Sequence, residues 1–411
     1  MCKVRTWVLL LVCVALVSAE GADWPNWRGP NRDGISSETS WSWQWPAAGP
    51  TVLWKKSVGT GFSSMSICHG RVYTMGNTGI KGDNKKDAHQ DVVFCFDADT
   101  GRELWQHAYL CELGPRGYEG GTSATPTVDG RRVYTLSKSG LVFCLDAESG
   151  DVVWKRDLVA ECGVEIPTWG LGGGSVLIYK DLAILNAGTY GLALNKADGS
   201  LVWQNGTGKA GYSTPVLYTL DGLDCITLFN VNSLAAVTAR TGEVLWTIPW
   251  KARHDENIAD PIVTGNRILV SSYLGDRCSL FTLTRNRLFE LWTHKEMFNW
   301  LSSSVLHQGH VYGVHCKRPN RLRCMDLNTG EILWSHEGLG LASLMMAGNQ
   351  LIILSDKGKL VIAEASPEAY TPLAEAQVLT GKCWTAPVLA NGKIYARNAQ
   401  GELVCLDVKT P

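Results

Sequence analysis

The stretch CFDADTGRELW at residues 95–105 returns as CLDAESGDVVW at 144–154 and as CMDLNTGEILW at 324–334. Weaker copies are ALNKADGSLVW at 193–203 and VTARTGEVLW at 237–246. Successive tryptophans that end this repeat are 42 to 51 residues apart, namely Trp54, Trp105, Trp154, Trp203, Trp246, Trp292 and Trp334. A repeat of this length is typical of a four-stranded propeller blade.

Each period also contains the signals of four short strands. In the second repeat, β-rich segments lie at 127–128, 132–136, 141–145 and 152–154, with glycines in the turns between them. Asp and Thr side chains can satisfy turn amides, and Gly accepts positive φ, which explains the D-x-x-T/S-G element. The final tryptophan is predicted to pack between neighbouring sheets and not to contact a ligand.

The two ends of the chain predict how the ring closes. Residues 383–407 carry three strand signals of a last repeat, whereas Val52, Leu53 and Trp54 form a fourth strand with no blade before it. Pairing of these strands would remove exposed sheet edges. With a degenerate repeat at 344–379, the sequence predicts an all-β, eight-bladed β-propeller of four-stranded antiparallel blades, closed by its N- and C-terminal strands.

The N-terminus predicts export. Lys3 and Arg5 precede an apolar run at 7–17, and small residues follow up to Ala19, as in a secretory signal peptide. The run is too short to span a bilayer, which takes roughly 20 residues. We therefore expect a signal peptide at 1–19 cleaved near Ala19, an N-terminal extension packing on the propeller at 20–50, the propeller at 51–411, and a periplasmic or secreted protein without a transmembrane segment.

Charge and cysteine content exclude some classes of protein. Lys and Arg total 38 against 39 Asp and Glu, so there is no electrostatic case for nucleic acid as a partner.

Thirteen cysteines in an exported chain could form disulfides. Four of them occupy the same position of separate repeats, which favours small buried hydrophobes, and they are Cys95, Cys144, Cys324 and Cys405. A Cys316–Cys324 pair across a hairpin is left open.

The repeat resembles that of pyrroloquinoline-quinone (PQQ) dehydrogenases and of the outer-membrane assembly lipoprotein that shares their propeller. DWPNWRGP at 23–30 and GKCWTAPV at 381–388 also resemble exported bacterial PQQ-like repeat proteins. The resemblance implies the fold over nearly the whole mature chain, but function lies in sites grafted on folds. It also implies PQQ with calcium as a cofactor. The chain departs from the catalytic members because it has no adjacent cysteines, no matching calcium ligand set and no CxxCH haem motif.

Loops that precede the inner strands of a propeller line one mouth of its channel, which is where a ligand site is expected. An aromatic residue recurs in these loops in six of the eight blades, where it could stack on a planar or sugar ligand or simply fill the channel. A polar cluster replaces it in the fifth blade, and it could bind a metal, act as acid and base, or be a solvated loop. The candidate ligand-binding residues are Phe62, Tyr118, Trp169, Tyr212, His254, Asp255, Asp260, Trp300, Lys382 and Trp384.

No catalytic motif was found among nucleophile elbows, phosphate loops or dinucleotide fingerprints. The sequence thus favours an exported binding or scaffold module of the cell envelope over an enzyme. Its partner would be an envelope protein, a glycan or a planar small molecule. The alternatives are a PQQ-dependent alcohol dehydrogenase and a scaffold for outer-membrane protein assembly.

Overall fold

The computed structural model describes residues 22–79, 89–172 and 174–410. The signal peptide predicted at 1–19 lies outside these residues. The described chain forms eight sheets of four consecutive or ring-closing antiparallel strands, and a short extra strand joins one of them. The predicted eight-bladed all-β propeller is confirmed.

The blades are numbered here from the first complete one. Blade 1 contains Ser66–Cys68, Arg71–Gly79, His89–Asp97 and Glu103–Leu110; blade 2 contains Thr127–Asp129, Arg132–Leu136, Leu141–Asp146 and Val152–Asp157; blade 3 contains Leu177–Tyr179, Leu182–Leu185, Leu192–Asn195 and Leu201–Gln204; blade 4 contains Val216–Leu220, Leu223–Phe229, Ser233–Thr238 and Val244–Pro249. Blade 5 contains Ile262–Thr264, Arg267–Ser272, Arg277–Leu283 and Leu288–His294; blade 6 contains Val305–His307, His310–His315, Arg321–Asp326 and Ile332–His336; blade 7 contains Ser343–Ala347, Gln350–Leu354, Lys359–Glu364 and Pro372–Gln377; blade 8 contains Val388–Ala390, Lys393–Arg397, Glu402–Asp407 and the N-terminal Thr51–Ser57.

The aspartate of the repeat closes the turn between the third and fourth strands. Asp97 accepts hydrogen bonds from the hydroxyl of Thr100 at 2.7 Å and from its backbone N–H at 2.9 Å. These bonds to Thr100 lower the pKa of Asp97 below its ordinary value. Asp326 and Thr329 form the same pair in blade 6.

Small cysteines allow large rings to meet inside the blades. Cys95 is paired across the sheet with Tyr73 on one side and Trp105 on the other, and the centroids of these two rings are 5.9 Å apart. The same Tyr–Cys–Trp ladder recurs at 134, 144 and 154, at 312, 324 and 334, and at 395, 405 and 54. All eleven cysteines of the described chain are unpaired, including Cys316.

The ring closes by pairing of the chain ends. Thr51–Ser57 runs antiparallel to Glu402–Asp407, with Thr51 opposite Asp407 and Ser57 opposite Glu402. Glu402–Asp407, the third strand of blade 8, is therefore paired on both sides, with Lys393–Arg397 and with Thr51–Ser57. This arrangement is the one that the isolated fourth-strand signal at 52–54 predicts.

The N-terminal segment at 24–36 crosses the channel. Trp24 pairs with Ile67 on the inner strand of blade 1, and the carbonyl of Pro25 accepts from Val128 of blade 2 at 2.7 Å. The short strand Ile35–Ser36 then runs parallel to Ser343–Ala347 of blade 7. Between these contacts, Trp27 donates to Asp260 at the start of blade 5, which lies across the ring from blade 1, so the segment fills the channel.

Helical structure is minor in the described chain. One α-helix, Leu158–Cys162, is capped by Asp157 and connects blades 2 and 3, and a 3₁₀ turn, Arg253–Asp255, precedes blade 5. None of the helices in the described residues is long and apolar enough to cross a membrane.

Candidate functional site

Six aromatic side chains from the loops before the inner strands meet around one cavity. The cavity has a volume of about 400 Å³. The six residues, here called the aromatic belt, are Phe62, Tyr118, Trp169, Tyr212, Trp300 and Trp384. The structure thus brings together side chains that lie more than 300 residues apart in the sequence.

The rings of the belt contact one another in sequence around the mouth. Phe62 stacks on Trp384 with a centroid distance of 5.6 Å and an interplanar angle of 24°. On its other side Phe62 lies 5.8 Å from Tyr118, which meets the edge of Trp169 at 5.7 Å and 77°. Trp384 continues to Trp300 at 6.3 Å and 48°. Because the ring planes turn along the belt, the rings surround the cavity and do not form one flat platform.

A chain of hydrogen bonds holds the inner strands of blades 1 to 6 at the cavity. In each blade, a backbone N–H at the start of the inner strand donates to a side-chain oxygen of the next blade. The bonds run from Ser64 to Thr125 at 3.1 Å, from Thr125 to Ser175 at 3.0 Å, from Ser175 to Thr214 at 3.1 Å, from Thr214 to Asp260 at 2.8 Å and from Asp260 to Ser303 at 2.9 Å. Asp260 therefore occupies a position that Ser or Thr fills in the five other blades of this chain of bonds.

Asp260 joins the propeller to the N-terminal segment. Its Oδ2 accepts a hydrogen bond from Trp27 Nε1 at 2.7 Å, and the guanidinium of Arg28 lies 3.9 Å away. Arg28 also donates to the carbonyl of Ser304 at 2.7 Å. Burial raises the pKa of Asp260, and the charge of Arg28 acts in the opposite direction. Trp27 lines the cavity, so this contact fixes an indole of the N-terminal segment in the cavity wall.

Glu256 completes the ring of cavity residues in blade 5. Its Oε2 accepts a hydrogen bond from Trp300 Nε1 at 2.6 Å, and the residue is 7 % exposed. Among the described residues, Glu256 forms no ion pair within 4.0 Å, although a buried carboxylate is costly without a counter-charge. Burial raises the pKa of Glu256 above its ordinary value. The indole of Trp169, which also lines the cavity, acts on the carboxylate of Glu256 and lowers its pKa.

Three of the predicted residues do not line the cavity. His254 and Asp255 both have positive φ, 58° and 66°, and Asp255 accepts from the hydroxyl of Thr168 at 2.9 Å outside it. Lys382 pairs with Glu119 at 2.8 Å, and its ammonium lies 4.2 Å from the ring centroid of Trp384. It lines a separate, open groove beside the belt.

Three cavity residues with large or charged side chains, Trp27, Glu256 and Arg116, were not among the predicted candidates. Trp27 belongs to a segment without a repeat register, although the unusual density of aromatic residues around it was a signal. Glu256 lies in the polar cluster of blade 5, next to the residues that were chosen. Arg116 precedes Tyr118 and is the cation among the described residues that line the cavity, where it is exposed and donates to the carbonyl of Thr168 at 3.2 Å.

A comparison with protein-family models shows the family of this chain. The family model described as outer membrane protein assembly factor BamB, a PQQ-like repeat model, matches residues 89–336, which is more than half of the chain. The chain belongs to this PQQ-like repeat family. The matched residues begin with the third strand of blade 1 and end with the last strand of blade 6. No curated protein matches the chain in sequence.

Solved structures of the PQQ-like fold resemble the chain at low sequence identity. BamB from Moraxella catarrhalis is 16 % identical, with a TM-score of 0.62, and the match covers 87 % of this chain and 99 % of that one. The quinohemoprotein alcohol dehydrogenase from Comamonas testosteroni is 12 % identical, with a TM-score of 0.66 and coverage of 95 % and 82 %. The corresponding enzyme ADHIIG from Pseudomonas putida HK5 is 12 % identical, with a TM-score of 0.68 and coverage of 95 % and 81 %. At these identities the likeness shows the fold alone.

The cavity residues of this PQQ-like propeller do not fit the cofactor that the quinoprotein resemblance implies. PQQ is a planar polycarboxylate, so its site needs flat faces and cationic partners. The aromatic belt offers the faces, but the buried charged groups at the cavity are the acids Glu256 and Asp260, and Arg116 is exposed. In the described chain, a cluster with metal-ligand spacing occurs at Asp23, Cys68 and His69, outside the cavity, and its thiol does not suit calcium.

Proposed function

We propose that this chain is an exported binding protein of the cell envelope, which holds a small molecule in the aromatic cavity at its propeller mouth and catalyses no reaction there. The observation that carries the proposal is the cavity itself, which is lined by Trp27 and by the aromatic belt. Its volume of about 400 Å³ falls in the range of small-molecule sites, roughly 300–1,000 Å³. Export rests on the charged and apolar segment at 3–17.

The belt supports stable binding because its shape is fixed before a ligand arrives. Tyr212 is 4 % exposed, and its hydroxyl accepts from the backbone N–H of Trp169 at 2.9 Å. The carbonyl of Phe62 accepts from the hydroxyl of Thr385 at 3.1 Å, which ties blade 1 to blade 8 beside Trp384. Pre-organised walls reduce the entropy lost on binding.

Titration of the chain from Glu20 with a probe panel tests this function. The panel contains PQQ with calcium, a monosaccharide, a neutral planar aromatic and choline, and binding is measured by calorimetry and tryptophan fluorescence. We expect saturable binding of at least one probe and at least a tenfold loss in Trp384→Ala, because a stacking face is removed. The control is Phe289→Ala, which removes an exposed aromatic ring from the outermost strand of blade 5.

The outcomes separate the candidate functions. Absence of binding by every probe, with cooperative unfolding intact, would overturn the cavity as the functional site. Uptake of PQQ with calcium, together with dye-coupled alcohol oxidation, would replace the proposal by the dehydrogenase alternative.

A scaffold role in outer-membrane protein assembly is the second candidate. It is favoured by the match to the assembly-factor family model. Apolar residues are also exposed on the outer strands of seven of the eight blades, including the neighbouring blades 2 and 3. Val152 and Val153 of blade 2 are 46 % and 40 % exposed, and Leu201 and Val202 of blade 3 are 49 % and 47 % exposed. Exposed apolar surface of this kind marks protein contacts. Co-purification of barrel-assembly components would support this candidate.

A further inference from the structure

We infer that the ligand of the aromatic cavity carries a compact organic cation, namely a quaternary or methylated ammonium group. This inference rests on the proposed binding function and adds the chemical class of the ligand. Three features of the cavity carry it: the arrangement of the rings, the charge of the buried groups, and the hydrogen bonding of Glu256.

The arrangement of the rings suits a roughly spherical cation. Neighbouring ring planes are inclined by 24° to 77°, so the faces and edges of Phe62, Tyr118, Trp169, Trp300 and Trp384 line the cavity from several directions. The π faces of aromatic rings attract cations within about 6 Å of their centroids, and Trp does so most strongly. The chain itself uses Trp384 in this way, because the ammonium of Lys382 lies 4.2 Å from its centroid.

The buried charge at the cavity is negative. Asp260 is offset by the neighbouring Arg28, whereas Glu256 forms no ion pair within 4.0 Å in the described chain, and His254 is the titratable group whose charge acts on it. Arg116 lines the exposed rim and is engaged by the carbonyl of Thr168. A buried carboxylate without a counter-charge is costly, and a cationic ligand would supply that counter-charge.

The hydrogen bonding of Glu256 leaves part of its carboxylate for a ligand. Trp300 Nε1 donates to Oε2 at 2.6 Å, and the indole of Trp169 also acts on the carboxylate and lowers its pKa. A carboxylate has about four acceptor sites, so further sites remain for a ligand. The same indole that holds Glu256 also presents its ring to the belt, 6.3 Å from Trp384. The acid is therefore held in place at the wall of the aromatic cage.

A neutral sugar or a planar anion accounts for these features less well. A sugar stacks on a flat aromatic surface, and the belt does not form one. A planar anion would meet the buried carboxylate of Glu256, which forms no ion pair within 4.0 Å in the described chain. The combination of inclined rings and an unpaired acid is the chemistry that recognises methylated ammonium groups.

The test compares choline with 3,3-dimethylbutan-1-ol, which has the same shape and no charge. We expect choline to bind the chain from Glu20 at least tenfold more tightly than the alcohol, because only choline gains cation–π and carboxylate attraction. Glu256→Gln should reduce this preference by about tenfold while leaving the alcohol affinity unchanged. Gln keeps an acceptor for Trp300 Nε1, so the fold should persist, and thermal unfolding verifies this.

Glu337→Gln is the matched control, since Glu337 is an exposed acid that pairs with Arg321 on blade 6. Equal affinity of the two probes, or a preference that survives in Glu256→Gln, would overturn the cation inference and leave the binding function standing. The same holds if a sugar or an aromatic probe binds and choline does not. Failure of every probe would overturn both the inference and the proposed function.

Discussion

Asp260 shows how one substitution in a repeat creates a junction. In four other blades, the equivalent side chain is a hydroxyl that only accepts a backbone N–H from the preceding blade. The carboxylate of Asp260 keeps this role through Oδ1 and uses Oδ2 for Trp27. The second oxygen therefore anchors the N-terminal segment beside the cavity.

A double-mutant cycle between Trp27 and Asp260 should measure this anchor. We expect Trp27→Phe and Asp260→Thr to show a coupling free energy of about 1.5–3 kcal/mol, typical of a hydrogen bond to a charged group. The measurement is denaturant unfolding of the two single variants and the double variant. A control cycle pairs Asp260→Thr with Trp246→Phe, whose buried indole N–H has no hydrogen-bond partner in the described structure. Additivity in the first cycle would contradict the anchor.

The sequence predicted the belt better than the acids. The repeat register locates the loop before each inner strand, so Phe62 and Trp384 could be assigned to the same mouth despite their separation. It does not tell which side chain of the cluster at 254–257 faces inward. The backbone decides this, because positive φ at His254 and Asp255 belongs to a tight turn before Glu256. Trp27 lies in a segment that contains no copy of the repeat, so only its contact with Asp260 in the structure places it at the cavity.

At the scale of the strand and its turn, the repeat signature is a contact between neighbouring blades. Trp105 lies in the last strand of blade 1, donates from Nε1 to the carbonyl of Ala147 at 3.1 Å, and lies against Gly150 in the turn of blade 2. A Cβ on Gly150 would lie 2.6 Å from the indole, and its φ is +79°. The Gly and the Trp of the repeat are therefore partners across blades, although they appear within one sequence motif.

Gly150→Ala should destabilise the propeller more than Gly130→Ala does. Both glycines have positive φ, which costs an Ala roughly 1–2 kcal/mol, but a Cβ on Gly130 would meet nothing within 4 Å. Overpacking against Trp105 should add about 1–3 kcal/mol in Gly150→Ala. Denaturant unfolding of the two variants measures the difference in free energy. Equal losses in the free energy of unfolding would show that the indole of Trp105 moves aside at no energetic cost, which would contradict the prediction.

At the scale of the whole molecule, two N-terminal elements have different tasks. The outer strand Thr51–Ser57 closes the ring, as the isolated strand signal at 52–54 predicted. The segment at 24–36 fills the channel, and the sequence could not predict its path because it contains no copy of the repeat. Its backbone pairings with inner strands, such as Trp24 with Ile67 and Ile35 with Met346, do not recur from blade to blade.

Two truncated chains should separate these tasks. A chain that begins at Thr51 keeps the closing strand but loses Trp27 and Arg28, so we expect a monomer of reduced stability that no longer binds a cavity ligand. A chain that begins at Val58 also leaves the strand Glu402–Asp407 without its partner. Because an exposed strand edge templates association, we expect this second chain to self-associate and to unfold without a single cooperative transition. Size-exclusion chromatography with light scattering and denaturant unfolding measure both properties. If the chain from Val58 were as monomeric and as stable as the chain from Thr51, closure by the N-terminal strand would contribute nothing, and the ring would be held together by contacts between blades alone.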